Sequence, residues 1–168
     1  MFSYFKNNGK NSHAYTVAFY NLENLFDTFN DPTILDDEFT PKGKKYWNLK
    51  RYKNKIRKLG NVIAQLGTEK SFFAPAIVGV VEVENNTVLR DLVESKALKK
   101  EHYSFVHYDS PDERGIDVAL LYKKELFELL HSETFPLYLN GNNGERDYTR
   151  DVLLVKGNLN GEFMHIIV

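Results

Sequence analysis

The run Ala76-Ile77-Val78-Gly79-Val80-Val81-Glu82-Val83-Glu84-Asn85 sets the tightest limit on what this chain can fold into. It predicts a buried strand over Ala76 to Val83, and it carries one carboxylate, Glu82, to the end of that strand. A charge in such a place is costly unless something pairs with it, and a bound metal ion is the usual answer. The competing reading is a structural carboxylate paired with a lysine or capping a neighbouring helix. The run alone does not choose between them.

Two other segments favour the metal. Tyr15-Thr16-Val17-Ala18-Phe19-Tyr20 alternates, is rich in strand formers, and runs into Asn21. Arg114-Gly115-Ile116-Asp117-Val118-Ala119 leads into a second apolar strand with Asp117 embedded in it. Sites in layered α/β folds collect at strand ends. Oxygen ligands of this kind suit Mg²⁺, Mn²⁺ or Ca²⁺ rather than zinc, and Mg²⁺ needs few protein ligands because it keeps several waters.

The remaining pattern predicts strand, helix, strand, helix, then mainly strands. Leu49 to Leu66 is the clearest helix, with Leu49, Tyr52, Ile56, Leu59, Ile63 and Leu66 at spacings of three and four. Its other face carries Lys50, Arg51, Lys53, Lys55, Arg57 and Lys58: a solvated surface on the plainer reading, a phosphate-binding face on the other. Residues 27–47 form a long acidic loop with two prolines, a length at which loops are often functional. Asn86 is expected to cap a helix from Thr87 to about Leu98. Strands are expected over Tyr103–Tyr108 and Ile116–Tyr122, a short helix over Lys123–Leu130, and a hairpin joining Asp151–Leu159 to Glu162–Val168 through Asn160-Gly161. We divide the chain into a polar tail, 1–14, and one domain, 15–168, of α/β (α+β) class with helices outside a mixed sheet.

At 168 residues and 42% hydrophobic content the chain can bury a real core. The net charge of −1 gives no global basic field to draw it onto nucleic acid, although it is compatible with a locally basic cleft. The absence of cysteine rules out disulfides, thiolate zinc ligands and a cysteine nucleophile. His13, His102, His107, His131 and His165 show no metal-ligand spacing, and no Gly-x-Ser-x-Gly elbow or phosphate-binding glycine loop is present. Met1 to Ala14 lacks the apolar stretch of a signal peptide, and no run reaches membrane-spanning length, so the default expectation is cytoplasmic.

Taken together, the motifs resemble the endonuclease/exonuclease/phosphatase superfamily, the group of deoxyribonuclease I, exonuclease III and the inositol polyphosphate 5-phosphatases. Val17-Ala18-Phe19-Tyr20-Asn21-Leu22-Glu23-Asn24 is similar to the family's opening strand ending in Asn. Val78-Gly79-Val80-Val81-Glu82-Val83-Glu84-Asn85 is similar to its Gly-Leu-Gln-Glu pattern, with Val81 in place of Gln beside the metal-binding Glu. Arg114 to Tyr122 resembles a strand of many bacterial members, as do Asp27, the Asp37-Glu38-Phe39-Thr40-Pro41 stretch and Trp47.

The resemblance implies a four-layered α/β sandwich and Mg²⁺- or Mn²⁺-dependent hydrolysis of a phosphoester by activated water. Glu82 would be the metal ligand and Asn21 would orient the metal shell or the phosphate. Arg150, in Tyr148-Thr149-Arg150-Asp151, falls where deoxyribonuclease-like members place a phosphate-contacting Arg, the alternative being a surface Arg entering a strand. Asp117 receives no assigned role, with structural hydrogen bonding favoured over catalysis. The family's Asn-His pair, Trp-Pro-Ser, Asp-x-Asn and terminal Asp-His motifs do not occur here, and His165 is not the missing catalytic histidine. The expectation is therefore the N-terminal half of the domain, inactive alone, with an inner sheet face exposed and prone to self-association. The parent protein is expected to be an endonuclease-like phosphodiesterase acting on a phosphoester substrate, with DNA a candidate. The alternatives are a phosphomonoesterase or phospholipase, or a non-catalytic half-domain.

Overall fold

The computed structural model describes residues 14–141 and 144–168. Its strands and helices, in chain order, are β1 (Val17–Leu25), α1 (Leu49–Ile63), α2 (Thr68–Ser71), β2 (Ile77–Val83), α3 (Asn86–Val93), β3 (Tyr103–His107), β4 (Asp117–Lys123), β5 (Phe127–Phe135), β6 (Leu139–Asn140), β7 (Arg146–Asp147), β8 (Val152–Leu159) and β9 (Glu162–Ile167). One mixed sheet has the order β1-β2-β4-β3, with β1 and β2 parallel and the other pairs antiparallel. A second, antiparallel sheet has the order β5-β8-β9. The class is α/β (α+β), as the sequence pattern predicts.

Side-chain alternation explains how the layers meet. Val78, Val80, Ala119 and Leu121 point to one face of the mixed sheet, where α1 and α3 cover them with Tyr52, Ile56, Leu59, Ile63, Leu89 and Leu92. Ile77, Leu120 and Tyr122 point to the other face, against Phe127, Leu153, Val155 and Leu159 of the second sheet. Strand β2 is thus apolar on both faces, which is why its sequence reads as an unbroken run. Each such aliphatic side chain contributes about 1.5–3 kcal/mol on full burial.

The local signals are specific. The Asn48 side chain accepts from Arg51 N at 3.1 Å and starts α1. Gly60 of α1 lets the turn after α3 approach, since a Cβ there would stand 2.3 Å from Ser95 Oγ. Asn160 and Gly161, with φ of 49° and 86°, make the left-handed two-residue turn that joins β8 to β9.

Three expectations need correction. The cap of α3 is Asn85, which accepts from Thr87 N and Val88 N, and the helix stops at Val93 because the chain turns tightly through Ser95. Lys123–Leu130 is not helical. It turns at Leu126 and enters β5, because Phe127 fills the space between the sheets and the strand pairs with β8 along its length. Long-range pairing overrides the local helix preference. Finally, the inner sheet face is largely covered by the second sheet. It stays open at β1, where Phe19 is 60% exposed. Two bare apolar residues of β9, Phe163 and Ile167, lie on the outer face of the second sheet. Of the tail, 1–14, only Ala14 lies within the described residues.

Candidate metal centre at the strand ends

Strands β1 and β2 run parallel, so their C-terminal ends lie side by side, and both ends are irregular. Pairing of β1 with β2 slips between Asn21 and Leu25, and pairing of β2 with β4 slips between Val81 and Val83. Bulges of this kind re-aim side chains. Glu23, Asn24 and Glu82 all adopt left-handed backbone, with φ of 55°, 59° and 64°. Asparagine tolerates this region, but each glutamate there costs on the order of 1–2 kcal/mol. Two strained glutamates at one strand end mark a place where geometry is held against local preference.

The hydrogen bonds show what that geometry holds. Asn21 Nδ2 donates to Glu82 Oε1 at 3.2 Å, and Asn24 N donates to Glu82 Oε2 at 2.9 Å. Glu23 N donates to Asn21 Oδ1 at 2.7 Å, which fixes the amide orientation. From α1, Lys55 Nζ donates to the carbonyl oxygens of Glu23 and Asn24. Burial pushes the Lys55 ammonium below its ordinary pKa, while the nearby Glu23 and Glu82 carboxylates oppose that shift. The Glu82 carboxylate is half-buried and each of its oxygens accepts a single hydrogen bond, leaving about two of its four lone-pair directions open. A hard-oxygen donor with open lone pairs fits Mg²⁺ or Mn²⁺, which are held by one or two carboxylates plus water.

The sequence analysis singled out four residues, and the fold joins two of them. Asn21 and Glu82 share a hydrogen bond. Asp117 pairs with Val83 in the sheet but turns its buried carboxylate away, to Ser110 N at 2.9 Å, to the Ser110 hydroxyl, and to His107 Nε2 at 3.1 Å. Arg150 lies half-buried in the loop before β8, and it makes no hydrogen bond or ion pair with any described residue. His107, Asp109 and Asp117 form a second cluster, with one ligand atom from each within 4.8 Å of the others. The Asp117 oxygens there are already engaged by Ser110 and His107.

Sequence reasoning missed Lys55 as a member of the site. Its position, three residues after Tyr52 and one before Ile56, places it at the border of the buried stripe, and that was the available signal. Arg114 was also missed. Its guanidinium is gripped by Asp112 at 3.0 and 3.1 Å, a hydrogen bond that raises its pKa, and the negative charge of Glu82 adds to the effect.

The acidic loop is moored beside this centre. Trp47 Nε1 donates to Phe26 O at 3.0 Å, and Phe39 stacks on Phe26 at 4.4 Å. Glu84 accepts from Asp27 N and lies buried next to Asp27, Asp31 and Asp36. Burial pushes its carboxyl up to about 7, and the three neighbouring carboxylates add to the shift. A folded-state pKa above the unfolded value means that Glu84 favours folding below about pH 4.5, and that this contribution is lost as pH rises through about 7. Glu84→Gln keeps an oxygen acceptor for Asp27 N and removes the charge. We expect it to melt several degrees above wild type at pH 8.5, with the gap closing by pH 5, a difference of order 2–3 kcal/mol. Equal melting at the two pH values would refute the assignment.

A mixed sheet covered by helices on one face and by a second sheet on the other, with acidic and amide side chains at its strand ends, defines a layered α/β scaffold. Residues 16–168 match the model of the Endonuclease/Exonuclease/phosphatase family, and the chain belongs to that family. The fold is similar to that of a β-hairpin deletion mutant of beta toxin from Staphylococcus aureus, at 15% identity and a TM-score of 0.50 over 90% of this chain and 49% of that one. It is also similar to the endonuclease/exonuclease/phosphatase from Bacteroides vulgatus, at 19% identity and a TM-score of 0.49 over 89% of this chain and 49% of that one. The chain thus spans about half the length of these solved structures. No curated protein matches it significantly in sequence. Among the described residues no helix is long and apolar enough to cross a membrane.

Proposed function

We propose that this chain carries the cation-binding half of a phosphodiesterase centre, with Glu82 as the ligand of Mg²⁺ or Mn²⁺ and DNA among the substrates. Members of the family are in general divalent-metal-dependent hydrolases of phosphoesters. The observation that carries the reading is the bulged strand end at which Asn21 and Asn24 converge on one half-buried carboxylate, with Lys55 holding the Glu23 and Asn24 carbonyls behind it.

Each residue has a distinct task in this reading. Glu82 presents its open lone pairs to the cation. Asn21 orients Glu82 through its amide nitrogen, while its own oxygen is held by Glu23 N. Lys55 fastens the two left-handed carbonyls, so the Asn24 N–H stays aimed at Glu82. Arg150, whose guanidinium has no partner among the described residues, is available to meet a substrate phosphate. Asp117 is a positioning residue that ties the turn at Ser110 to His107. Glu82, oriented by Asn21, would hold the cation, which would supply Lewis-acid polarisation of the substrate's phosphoryl group.

The test is side-by-side hydrolysis of bis(4-nitrophenyl) phosphate, 4-nitrophenyl phosphate and plasmid DNA by the full-length gene product. We expect diester cleavage that requires Mg²⁺ or Mn²⁺ and stops in EDTA. Cleavage of the monoester alone would move the assignment to a phosphomonoesterase. Metal-independent cleavage, or none, would contradict the reading. A non-catalytic, self-associating role is motivated by Phe19, and a monomeric sedimentation profile at micromolar concentration would exclude it.

A further inference from the structure

The helix α1 carries six cations, Lys50, Arg51, Lys53, Lys55, Arg57 and Lys58, and no acidic residue, in a chain whose net charge is −1. Helices that merely face solvent usually intersperse both signs, because Glu–Lys pairs one turn apart are stabilising. None of the six makes an ion pair with a described residue. The charge is therefore concentrated on one helix, and only Lys55 has carboxylates, Glu23 and Glu82, near it.

A groove of about 380 Å³ runs between α1 and the end of β1. Asn21 and Tyr20 line one side of it, and Arg51, Lys55 and Lys58 line the other, with Trp47 at its floor. The same groove thus contains a member of the metal centre and three cations. Lys55 is fixed within it by the Glu23 and Asn24 carbonyls and lies over the Trp47 ring at 5.5 Å. Arg51 spends one guanidinium nitrogen on Lys45 O at 2.6 Å, leaving the rest of its fork open. Lys58 is exposed and has no hydrogen bond or ion pair among the described residues.

We propose that this groove is a binding track for the phosphates of a nucleic-acid strand, leading away from the scissile position at Glu82 across Lys55 to Arg51 and Lys58. The proposal rests on the phosphodiesterase reading above and adds to it the surface on which a polymeric substrate lies. From Arg51 to Lys58 is two helical turns, about 10 Å. This length can meet more than one phosphate of a polymer and exceeds what a simple monoester offers. A sequence-independent electrostatic contact of this type supplies affinity and register, while the metal centre supplies the chemistry.

The experiment is fluorescence anisotropy of a labelled single-stranded oligonucleotide titrated with this chain in EDTA, across a salt series. The double variant Arg51→Gln/Lys58→Gln removes two cations from the groove. The control Lys53→Gln/Arg57→Gln removes the same charge from the helix outside it. We expect the groove variant to bind about tenfold or more weakly, with a log–log salt slope shallower by about 1.4. The control should stay within about threefold of wild type. Equal losses in the two variants, unchanged binding in the groove variant, or no binding by wild type would overturn the proposal. So would Arg51- and Lys58-dependent binding to phosphatidylserine vesicles without binding to the oligonucleotide, which would make the groove a membrane-facing surface. Failure of the phosphodiesterase reading is seen separately, as absent metal-dependent turnover of the small diester while the groove variant still loses oligonucleotide binding.

Discussion

Replacing Glu82 by Gln should lower metal-dependent phosphodiester hydrolysis by the full-length gene product by about 10³-fold, the equivalent of roughly 4 kcal/mol of transition-state stabilisation. The fold should survive. Gln has nearly the same volume, and the change turns one acceptor oxygen into a donor facing Asn21 or Asn24. That mismatch costs about 1–3 kcal/mol, so the melting temperature should fall by no more than a few degrees. A loss of activity below tenfold would mean that the Glu82 carboxylate is structural. Unfolding of the variant would mean the same, since the charge would then be needed by the scaffold itself.

The largest effect on stability is expected from Phe127→Ala. Phe127 is 1% exposed and stands between the two sheets, edge-on to Tyr122 with ring centroids 5.5 Å apart. Strand β8 makes room for it with Gly157, where a Cβ would lie 2.3 Å from the Phe127 ring. Truncation leaves a cavity between the sheets, in the cluster that Phe127 shares with Tyr122, Leu153 and Leu159. The cost should be about 3–5 kcal/mol, a large share of a typical domain stability. Thermal unfolding should shift down by about 10–15 °C. Phe29→Ala, at a site 78% exposed, should change it by less than about 2 °C. Similar melting of the two variants would show that the sheets are not packed through Phe127.

The sequence made the scaffold legible wherever a pattern had one physical cause. The β2 run needed burial on both faces, the α1 stripe needed a sheet to cover, and Asn160-Gly161 needed a left-handed turn; each has what it needs. It misled at Lys123–Leu130, where the local composition is neutral and the strand is imposed by β8, a partner about 30 residues away in the chain. At the centre, the Asn21–Glu82 pairing could be reached through family likeness, but the means of holding it could not. Left-handed backbone at Glu23 and Glu82 runs against the preference of both residues, so no propensity argument finds it. Lys55 was hidden among five other cations on the same helix, and only the position of β1 distinguishes it. Glu84 was hidden in the same way, beside the more conspicuous Glu82, although it is the more deeply buried of the two.

The most direct test is a titration of this chain with Mn²⁺, followed by electron paramagnetic resonance, in wild type, Glu82→Gln and Asp117→Asn. The account predicts one bound ion in wild type and in Asp117→Asn, and its loss in Glu82→Gln. Retention of the ion in Glu82→Gln together with its loss in Asp117→Asn would place the cation in the cluster of His107, Asp109 and Asp117 instead, and would contradict the assignment of Glu82 as the ligand.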